Sequence, residues 1–392
     1  MRPGKKSPFS PKPLRICFVL PTLVRSGLVA QTLAIAQSLA KEPGFHLTVA
    51  LMKPQDGTPP DISPAWFSQI AKAKRLPGIP ARFYRARRRA RILRHVAREV
   101  VRADVVVSSY EFGPGLVDVQ AAARTARKPI VAIVQNNPVK SISEYGDNWS
   151  VEKTFDAWRG CAGLVFPSEA LRDLVVSKMN NDTPPTAVIP NGVDIDYVSR
   201  KAADDGDTLP ASTPFFVAVG RLAHQKGMDV FIDAHALIDR DAWPHDIVII
   251  GAGTDDERAS LRELANTLNV SDTVHFVDYL SNSVAPLRHA TACVVPSRYD
   301  GHSMVLTECA VLGVPVIASD CPTGPAEILD GGRYGDLVPV DDPRALAQAM
   351  VAHLQDPAPL QSKASLSAHN NDRLDLQRTR ALYAEFFRQI VH

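Results

Sequence analysis

Two short motifs in the C-terminal half place charged side chains directly after an apolar run. The first follows residues 215–220 and reads Arg221-Leu222-Ala223-His224-Gln225-Lys226-Gly227. A helix is predicted to begin near Gly227, and the free N–H groups and positive dipole end of a helix N-terminus suit a phosphate. Arg221 can contact two oxygens of a diphosphate at once, and Lys226 adds a compact positive charge. The motif predicts a diphosphate-binding loop; the alternative is a surface turn with two solvated cations.

The second motif covers residues 296–308 and brings acidic side chains to the end of another apolar run. Asp300 lies just past the run, Gly301 and Ser303 keep the turn open, and a helix from about Ser303 carries Glu308 in its second turn. Carboxylates accept hydrogen bonds from hydroxyls, so this pair suits a sugar and a ribose. An isolated acid pair at this spacing is usually a solvated surface feature, but the strand end and helix start favour a site.

The elements that position these motifs are short apolar runs alternating with helical periodicity. Predicted strands fall at 14–20, 46–52, 104–108, 130–134, 163–166 and 186–189, and again at 215–220, 246–251, 273–277, 292–295 and 315–319. Such alternation predicts two doubly wound parallel sheets, with ligands at the carboxyl ends of the strands. The predicted organisation is a disordered basic tail (1–13), an N-terminal domain (14–198), a linker (199–214), a C-terminal domain (215–370) and a last helix (371–392) that returns to the N-terminal domain.

Composition bounds the function classes. The chain has 392 residues, 45% apolar and 22% charged, which suits two soluble domains, and its net charge of +2 gives no general attraction to nucleic acid or membrane. Five cysteines without a Cys-x-x-Cys pair predict buried free thiols and no zinc or redox motif. Pro21 and Arg25 interrupt the first apolar stretch, which argues against a signal peptide. We expect a cytoplasmic protein, peripheral on the inner face of the membrane if it contacts lipid.

The order of several motifs carries a family resemblance. Together with residues 189–194, 248–253 and 313–320, the two motifs resemble the retaining GT-B glycosyltransferases of family 4 over about residues 188–340, and residues 321–328 resemble its bacterial surface-polysaccharide and lipid-linked-oligosaccharide branch. The resemblance implies an α/β GT-B fold, with two Rossmann-like domains facing across a cleft. It also implies retaining, metal-independent transfer of a hexose or N-acetylhexosamine from a nucleotide-diphosphate sugar, preferably a UDP-sugar. The acceptor would be a glycan or a polyprenyl-diphosphate-linked glycan.

The resemblance also assigns roles residue by residue. Arg221, Lys226 and Asp300 would be catalytic, the two cations stabilising the leaving diphosphate and Asp300 contacting the donor sugar. The donor-binding set would comprise Gly27, Arg221, Lys226, Gly253, Val277, Asp300, Gly301, His302, Ser303, Met304, Val305 and Glu308. No cofactor or metal is implied.

Four positions depart from the family pattern. Asp300 replaces a glutamate, and Ser26-Gly27 replaces a glycine pair. Asn136 lies where a histidine is common, so an amide would take over its hydrogen bond to the transferred sugar. His302 lies where phenylalanine is common, and it would either touch the sugar or pack.

An arginine-rich helix is predicted over residues 83–102. Twelve basic residues and one acid, Glu99, fall between Lys72 and Arg102. Spacing of three and four places Phe83, Ala86, Ala90, Leu93, Ala97 and Val100 on an apolar face, and Arg87, Arg91, Arg94, Arg98 and Arg102 on a neighbouring stripe. The stripe is either a solvated face or, across the Arg82–Arg102 helix, a contact for anionic lipid or a polyprenyl diphosphate. Nothing in its pattern favours nucleic acid.

Three other classes remain as alternatives to a transferase. A nucleotide-sugar epimerase can use the same fold and would turn over its nucleotide sugar without an acceptor. An oxidoreductase is disfavoured because no Gly-x-Gly-x-x-Gly follows the first strand. A binding protein with a degenerate site gains some support from Asp300 and the missing histidine.

Overall fold

The structure is a computed structural model, and it describes residues 12–21, 27–52, 67–68, 81–145, 149–204, 209, 211, 214–280 and 282–391. The chain divides into two compact units. Unit 1 comprises the described residues of Met1–Phe166, Val176–Ile189 and Arg380–His392, and unit 2 comprises Pro167–Val175 and the described residues of Pro190–Thr379. The predicted tail up to residue 11, Ser26 of the predicted glycine pair and the basic residues before Pro80 lie outside the described residues.

Unit 1 is built on a parallel sheet of seven strands in the order β3-β2-β1-β4-β5-β6-β7. The strands are β1 Leu14–Leu20, β2 Phe45–Leu51, β3 Phe67–Ser68, β4 Val105–Ser108, β5 Ile130–Ile133, β6 Gly163–Phe166 and β7 Thr186–Val188. Its helices are α1 Gly27–Ala40, α2 Ala81–Arg102, α3 Pro114–Thr125, α4 Pro138–Tyr145 and α5 Val151–Arg159. Helix α6 Glu169–Lys178 follows β6, but its residues up to Val175 belong to unit 2. Residues 105–108, 130–133 and 163–166 are buried throughout, because helices cover both sheet faces.

Unit 2 repeats the design with six parallel strands in the order β10-β9-β8-β11-β12-β13. The strands are β8 Phe215–Val219, β9 Asp246–Ile250, β10 Val274–Val277, β11 Ala292–Val295, β12 Val316–Ser319 and β13 Asp336–Val338. The helices are α7 Ile195–Ala203, α8 Met228–Ala236, α9 Asp255–Thr267, α10 Met304–Leu312, α11 Pro325–Ile328, α12 Pro343–Gln355, α13 Ala358–His369 and α14 Leu376–Val391. The last helix begins in unit 2, and its residues from Arg380 onwards belong to unit 1.

The two parallel sheets, with helices joining their strands, confirm the predicted α/β class. The structure differs from the sequence prediction at two places between elements. Helix α7 runs to Ala203, so the linker predicted from 199 begins later. The main crossing between units falls at Pro190 rather than at 198. In addition, residues 358–369 form helix α13, whose prolines, Pro357 and Pro359, stand at the helix start.

The apolar face of α2 agrees with the predicted one only in part. Val100 is fully buried as predicted and Leu93 and Ala97 are half-buried, whereas Ala90 is exposed. Val96, which the predicted face did not include, is also fully buried. The stripe residues Arg87, Arg91, Arg94, Arg98 and Arg102 are all exposed.

The five cysteines are free and buried, as the sequence predicted. Burial raises the pKa of the Cys17 thiol to about 12, which keeps it protonated and unreactive. Within the described helices, none combines the length and apolar character that a bilayer-spanning segment requires.

Candidate active site

The two charged motifs lie at one edge of the sheet of unit 2. Strand β8 pairs with β9 on one side and β11 on the other, so the strand order reverses at β8. The loop with Arg221 and Lys226 leaves the carboxyl end of β8, and the loop with Asp300 leaves that of β11. The reversal point of such a sheet is where open α/β folds bind ligands.

Close backbone packing shapes the loop after β8. A 3₁₀ turn, His224–Lys226, ends at Gly227, which has a φ of 65° and precedes α8. A Cβ at Gly227 would lie 2.0 Å from the carbonyl oxygen of Pro296, so only glycine fits between the two loops. Likewise, a Cβ at Gly251 would lie 1.7 Å from the carbonyl oxygen of Gly220.

The cations of this loop are held by the neighbouring loop. Lys226 Nζ lies 2.6 Å from Asp300 Oδ2, and the two side chains are 19% and 8% exposed. Arg221 donates to Gln225 Oε1 at 2.8 Å, and Gln225 donates to the carbonyl oxygen of Tyr299 at 3.0 Å. The structure therefore brings the two motifs into direct contact.

Arg298 holds the loops after β8 and β11 together, and this role was not predicted from the sequence. Its guanidinium donates to the carbonyl oxygen of His224 at 2.8 Å and to both carboxylate oxygens of Asp229 at 2.8 and 2.7 Å, and its Nε lies 2.6 Å from Asp341. Hydrogen bonding to Asp229 raises the pKa of Arg298 above its ordinary value. Its position two residues before Asp300 was the available signal, but its partners His224 and Asp229 lie 74 and 69 positions away, and Asp341 lies 43 positions away (341 − 298).

Helix α10 starts at the same edge. Ser303 is its N-cap, and the hydroxyl accepts from the N–H of Leu306 at 3.4 Å. The N–H groups of Met304 and Val305 lie in the first turn, where a helix offers them no backbone acceptor. The two residues are half-buried. The predicted helix N-terminus is therefore present beside Asp300.

Glu308 lies one turn further along α10 and is half-buried. Among the described residues, none gives its carboxylate a hydrogen bond or an ion pair. Burial raises the pKa of Glu308 to about 7. A desolvated carboxylate of this kind is ready to accept hydrogen bonds from hydroxyl groups.

His302 is 8% exposed, and its Nδ1 lies 3.4 Å from Thr307 Oγ1. Burial lowers the pKa of His302 to about 4, so the imidazole is neutral at physiological pH. This contact joins His302 to helix α10, on which Thr307 lies. The structure thus gives His302 a packing partner and leaves a sugar contact as a prediction.

A loop after β12 braces the acidic loop. Thr323 donates to the carbonyl oxygen of Asp300 at 2.5 Å. Gly324 has a φ of 96°, and a Cβ there would lie 2.8 Å from the carbonyl oxygen of Gly301. The support that this loop gives to Asp300 depends on the pairing of β11 with β12.

Three further predicted donor residues lie at strand or helix ends. Gly253 follows β9, and a Cβ there would lie 2.7 Å from Leu222 Cβ. Val277 ends β10 in the same sheet. Gly27 begins α1 in unit 1, and a Cβ there would meet nothing within 4 Å. Gly27 therefore stands in a different unit from the other donor residues.

Asn136, the predicted substitute for a histidine, follows β5 in unit 1. Its backbone N–H and that of Gln135 both donate to Glu111 Oε1, at 2.7 and 2.5 Å. Glu111 belongs to the loop after β4 and was missed from the sequence. Burial raises its pKa to about 7. Across the ranges that the structure describes, no cluster of three or more His, Cys, Asp or Glu could hold a metal ion.

Two doubly wound sheets in one chain, the second with paired cationic and acidic loops at its reversal point, define the GT-B class of α/β proteins. Anabaena HepE, solved in complex with UDP and glucose, superposes with a TM-score of 0.74 over 96% of this chain and 99% of HepE, at 17% identity. Sucrose-phosphate synthase from Thermosynechococcus elongatus gives a TM-score of 0.76 at 18% identity, covering 96% of this chain and 99% of that protein. These likenesses show the fold.

Two family models match the sequence and together cover most of it. Residues 25–197 match Glycosyltransferase Family 4, and residues 213–356 match Glycosyl transferases group 1. The chain belongs to the family 4 glycosyltransferases, which confirms the resemblance.

Phosphatidyl-myo-inositol mannosyltransferase of Mycobacterium leprae is 29% identical over 60% of this chain and 60% of its own length. A Campylobacter jejuni enzyme, N-acetylgalactosamine-N,N'-diacetylbacillosaminyl-diphospho-undecaprenol 4-alpha-N-acetylgalactosaminyltransferase, is 26% identical over 50% of this chain and 52% of its own length. Among the curated relatives, the matched share of the relative's own length runs from 23% to 60%.

Proposed function

We propose that the chain is a retaining, metal-independent glycosyltransferase. It transfers a hexose or N-acetylhexosamine from a nucleoside-diphosphate sugar, with a UDP-sugar as the preferred donor, to a glycan or lipid-linked acceptor in cell-surface polysaccharide synthesis. Family membership supports the transferase class. The names of the relatives support lipid-linked acceptors, and UDP in a structural neighbour supports the base.

One observation carries the proposal. At the reversal point of the sheet of unit 2, the salt bridge between Lys226 and Asp300 joins the cationic loop to the acidic loop, and α10 begins directly after it. Cations and helix N–H groups bind a diphosphate, whereas acids bind hydroxyls. Groups that suit a diphosphate and groups that suit hydroxyls therefore lie at the same edge of the sheet, and a nucleoside-diphosphate sugar requires both.

The proposed roles follow from these positions. Arg221, Lys226 and the N–H groups of Met304 and Val305 stabilise the negative charge that grows on the departing diphosphate. Glu308 accepts hydrogen bonds from the ribose hydroxyls, and Asp300 binds the donor sugar once the diphosphate has drawn Lys226 towards itself. In the retaining mechanism, the departing phosphate helps to deprotonate the acceptor hydroxyl on the same face of the sugar.

A binding and turnover experiment tests this function. Lys226→Ala should lose most of its thermal stabilisation by UDP and reduce kcat at least a hundredfold, since the transition state loses a direct charge contact. Lys363→Ala is the matched control: Lys363 is also paired with an aspartate, Asp336 at 2.7 Å, but β13 begins there, away from the carboxyl edge. NMR of the product would show retained anomeric configuration, and EDTA should leave the rate unchanged.

Several results would contradict the proposal. Equal losses of UDP stabilisation and kcat in Lys226→Ala and Lys363→Ala would show that the loop after β8 does not bind the donor. Turnover of a nucleotide sugar without any acceptor would favour an epimerase, and thermal stabilisation by a nicotinamide dinucleotide alone would favour an oxidoreductase. UDP binding without transfer to any acceptor would favour a binding protein.

We further propose that α2 contacts anionic lipid or the diphosphate of a polyprenyl-linked acceptor. Its stripe residues are exposed, and Arg87, Arg91, Arg94 and Arg98 have no carboxylate partner in the parts of the chain that the structure describes. By contrast, Arg89 on the same helix is bound to Asp118 at 2.5 Å. Aligned cations without counter-charges repel one another, and an anionic surface relieves that repulsion.

Liposome sedimentation tests this contact. The triple variant Arg87→Ser, Arg91→Ser and Arg94→Ser should lose binding to vesicles containing anionic lipid, and higher salt should weaken wild-type binding. Arg388→Ser in α14 is the matched single-charge control. Unchanged sedimentation of the triple variant would rule the stripe out.

A further inference from the structure

Unit 1 has a carboxyl edge of its own, and its strand order also reverses there. Strand β1 lies between β2 and β4, and β5 follows β4 in the sheet. Glu111 comes three residues after β4, and Gln135 and Asn136 come two and three residues after β5. Parallel neighbours end at the same edge, so these two loops meet there, and the loop after β4 borders the reversal point where a doubly wound sheet binds its ligand.

One carboxylate oxygen joins the two loops. Glu111 Oε1 accepts the backbone N–H of Gln135 at 2.5 Å and that of Asn136 at 2.7 Å, and the side chain of Asn136 also favours the ionised carboxylate. No described Lys, Arg or His forms a salt bridge with it. Glu111 is half-buried, and these hydrogen bonds stabilise its ionised form.

Among the described residues, burial and the hydrogen bonds of Gln135 and Asn136 determine the pKa of this carboxyl. The described titratable side chains of the same loop and of the two helices that follow β4 and β5 are Tyr110, Asp118, Arg124, Lys140 and Glu144. Burial raises the pKa of Glu111 to about 7, and the N–H donors oppose the rise. The carboxyl thus gains or loses its proton in the neutral range.

We propose that Glu111 is a positioning residue for the transfer reaction: its ionised carboxylate holds the Gln135–Asn136 peptide so that Asn136 is fixed at the carboxyl edge of unit 1. The proposal rests on the proposed function. Hydrogen bonds from N–H to a carboxylate are about twice as strong as those to a neutral carbonyl. Protonation therefore loosens the loop, and turnover should follow the ionisation of Glu111.

Replacing Glu111 by glutamine tests whether its charge or only its shape holds the loop. Glu111→Gln keeps a carbonyl oxygen that can accept both N–H groups, so a loop held only by shape would remain intact. With donor and acceptor saturating, wild-type kcat should fall about tenfold for each pH unit well below the pKa. Glu111→Gln should lower kcat at pH 8 at least tenfold and remove that acidic limb, with unchanged stabilisation by UDP. Glu152→Gln, an exposed glutamate on α5, is the matched control.

A second variant guards against misfolding. Glu111→Asp keeps the charge on a shorter side chain, so it should lose kcat but retain the acidic limb. The proposal is overturned if Glu111→Gln keeps the wild-type kcat and pH profile. It is also overturned if the kcat of Glu111→Gln falls only in proportion to the loss of folded protein and the pH profile of Glu111→Asp has no acidic limb. Failure of the proposed function looks different, because wild type itself would then show no transfer, and this proposal would fall with it.

Discussion

Replacing Glu308 by glutamine should stabilise the unliganded protein at alkaline pH and weaken donor binding. The carboxylate is half-buried, and no described residue gives it a hydrogen bond or counter-charge. Burial raises its pKa from 4.5 to about 7. This rise corresponds to about 3 kcal/mol, because each tenfold change in proton affinity is worth about 1.4 kcal/mol. Ionised Glu308 therefore costs the folded state an energy of that order.

The pH range follows from the direction of the shift. The unfolded carboxyl loses its proton near pH 4.5 and the folded one near pH 7, so the folded state binds more protons between these values. Stability contributed by this group therefore falls as the pH rises from 4.5 to 7 and is constant above. Glutamine carries no charge at any pH. Glu308→Gln should be close to wild type in stability at pH 5 and up to about 3 kcal/mol more stable at pH 8.

Urea unfolding at pH 5 and pH 8 measures the effect, with Glu263→Gln, an exposed glutamate on α9, as the control. Under the proposed function, the ribose hydroxyls donate charge-assisted hydrogen bonds to the wild-type carboxylate that the variant lacks, so saturating UDP should reverse the ranking at pH 8. A stability difference between Glu308→Gln and wild type that is the same at both pH values would refute the reasoning, because the carboxylate would then carry no desolvation penalty.

The remaining predictions concern packing around the site and one buried histidine. Gly227→Ala places a Cβ 2.0 Å from the carbonyl oxygen of Pro296 at a φ of 65°, so it should lower the melting temperature by several degrees and abolish UDP binding in calorimetry. Thr323→Val removes the 2.5 Å hydrogen bond to the carbonyl oxygen of Asp300 and should cost about 1–3 kcal/mol in urea unfolding and raise the donor KM, whereas Thr323→Ser should restore both. Burial lowers the pKa of His235 from 6.5 to about 3. The free energy of unfolding should therefore fall as the pH is lowered from 6.5 to 3, and it should fall less in His235→Gln.

The strands and the two charged loops that follow β8 and β11 could be predicted because their signals are local. Ser303 is a helix cap whose bonding partner lies three residues away, and Gly227 is followed at once by the helix it was expected to start. Buried strands such as 292–295 read as continuous apolar runs. Signals of this kind survive without knowledge of which strands are neighbours.

What could not be predicted depends on contacts between distant segments. Glu111 bonds to residues 24 and 25 positions away, and the contact exists only because β4 pairs with β5. Glu327 accepts the first N–H groups of α6, from Glu169 and Ala170, across 158 and 157 positions. That bond ties residues 167–175 to unit 2, although the chain around them belongs to unit 1. A domain boundary predicted from composition alone therefore misses that residues 167–175 belong to unit 2.

At this edge of the sheet of unit 2, the cations are paired, whereas among the described residues one acid has no partner. Arg298 is committed to Asp229 and Asp341, and Lys226 is held by Asp300. Glu308, in contrast, meets no counter-charge among the described residues. Under the proposed function, a diphosphate competes with Asp300 for Lys226, so its arrival frees one carboxylate at the moment when a sugar hydroxyl needs an acceptor. A ligand without a diphosphate leaves that salt bridge closed, and the site therefore selects for donors that carry one.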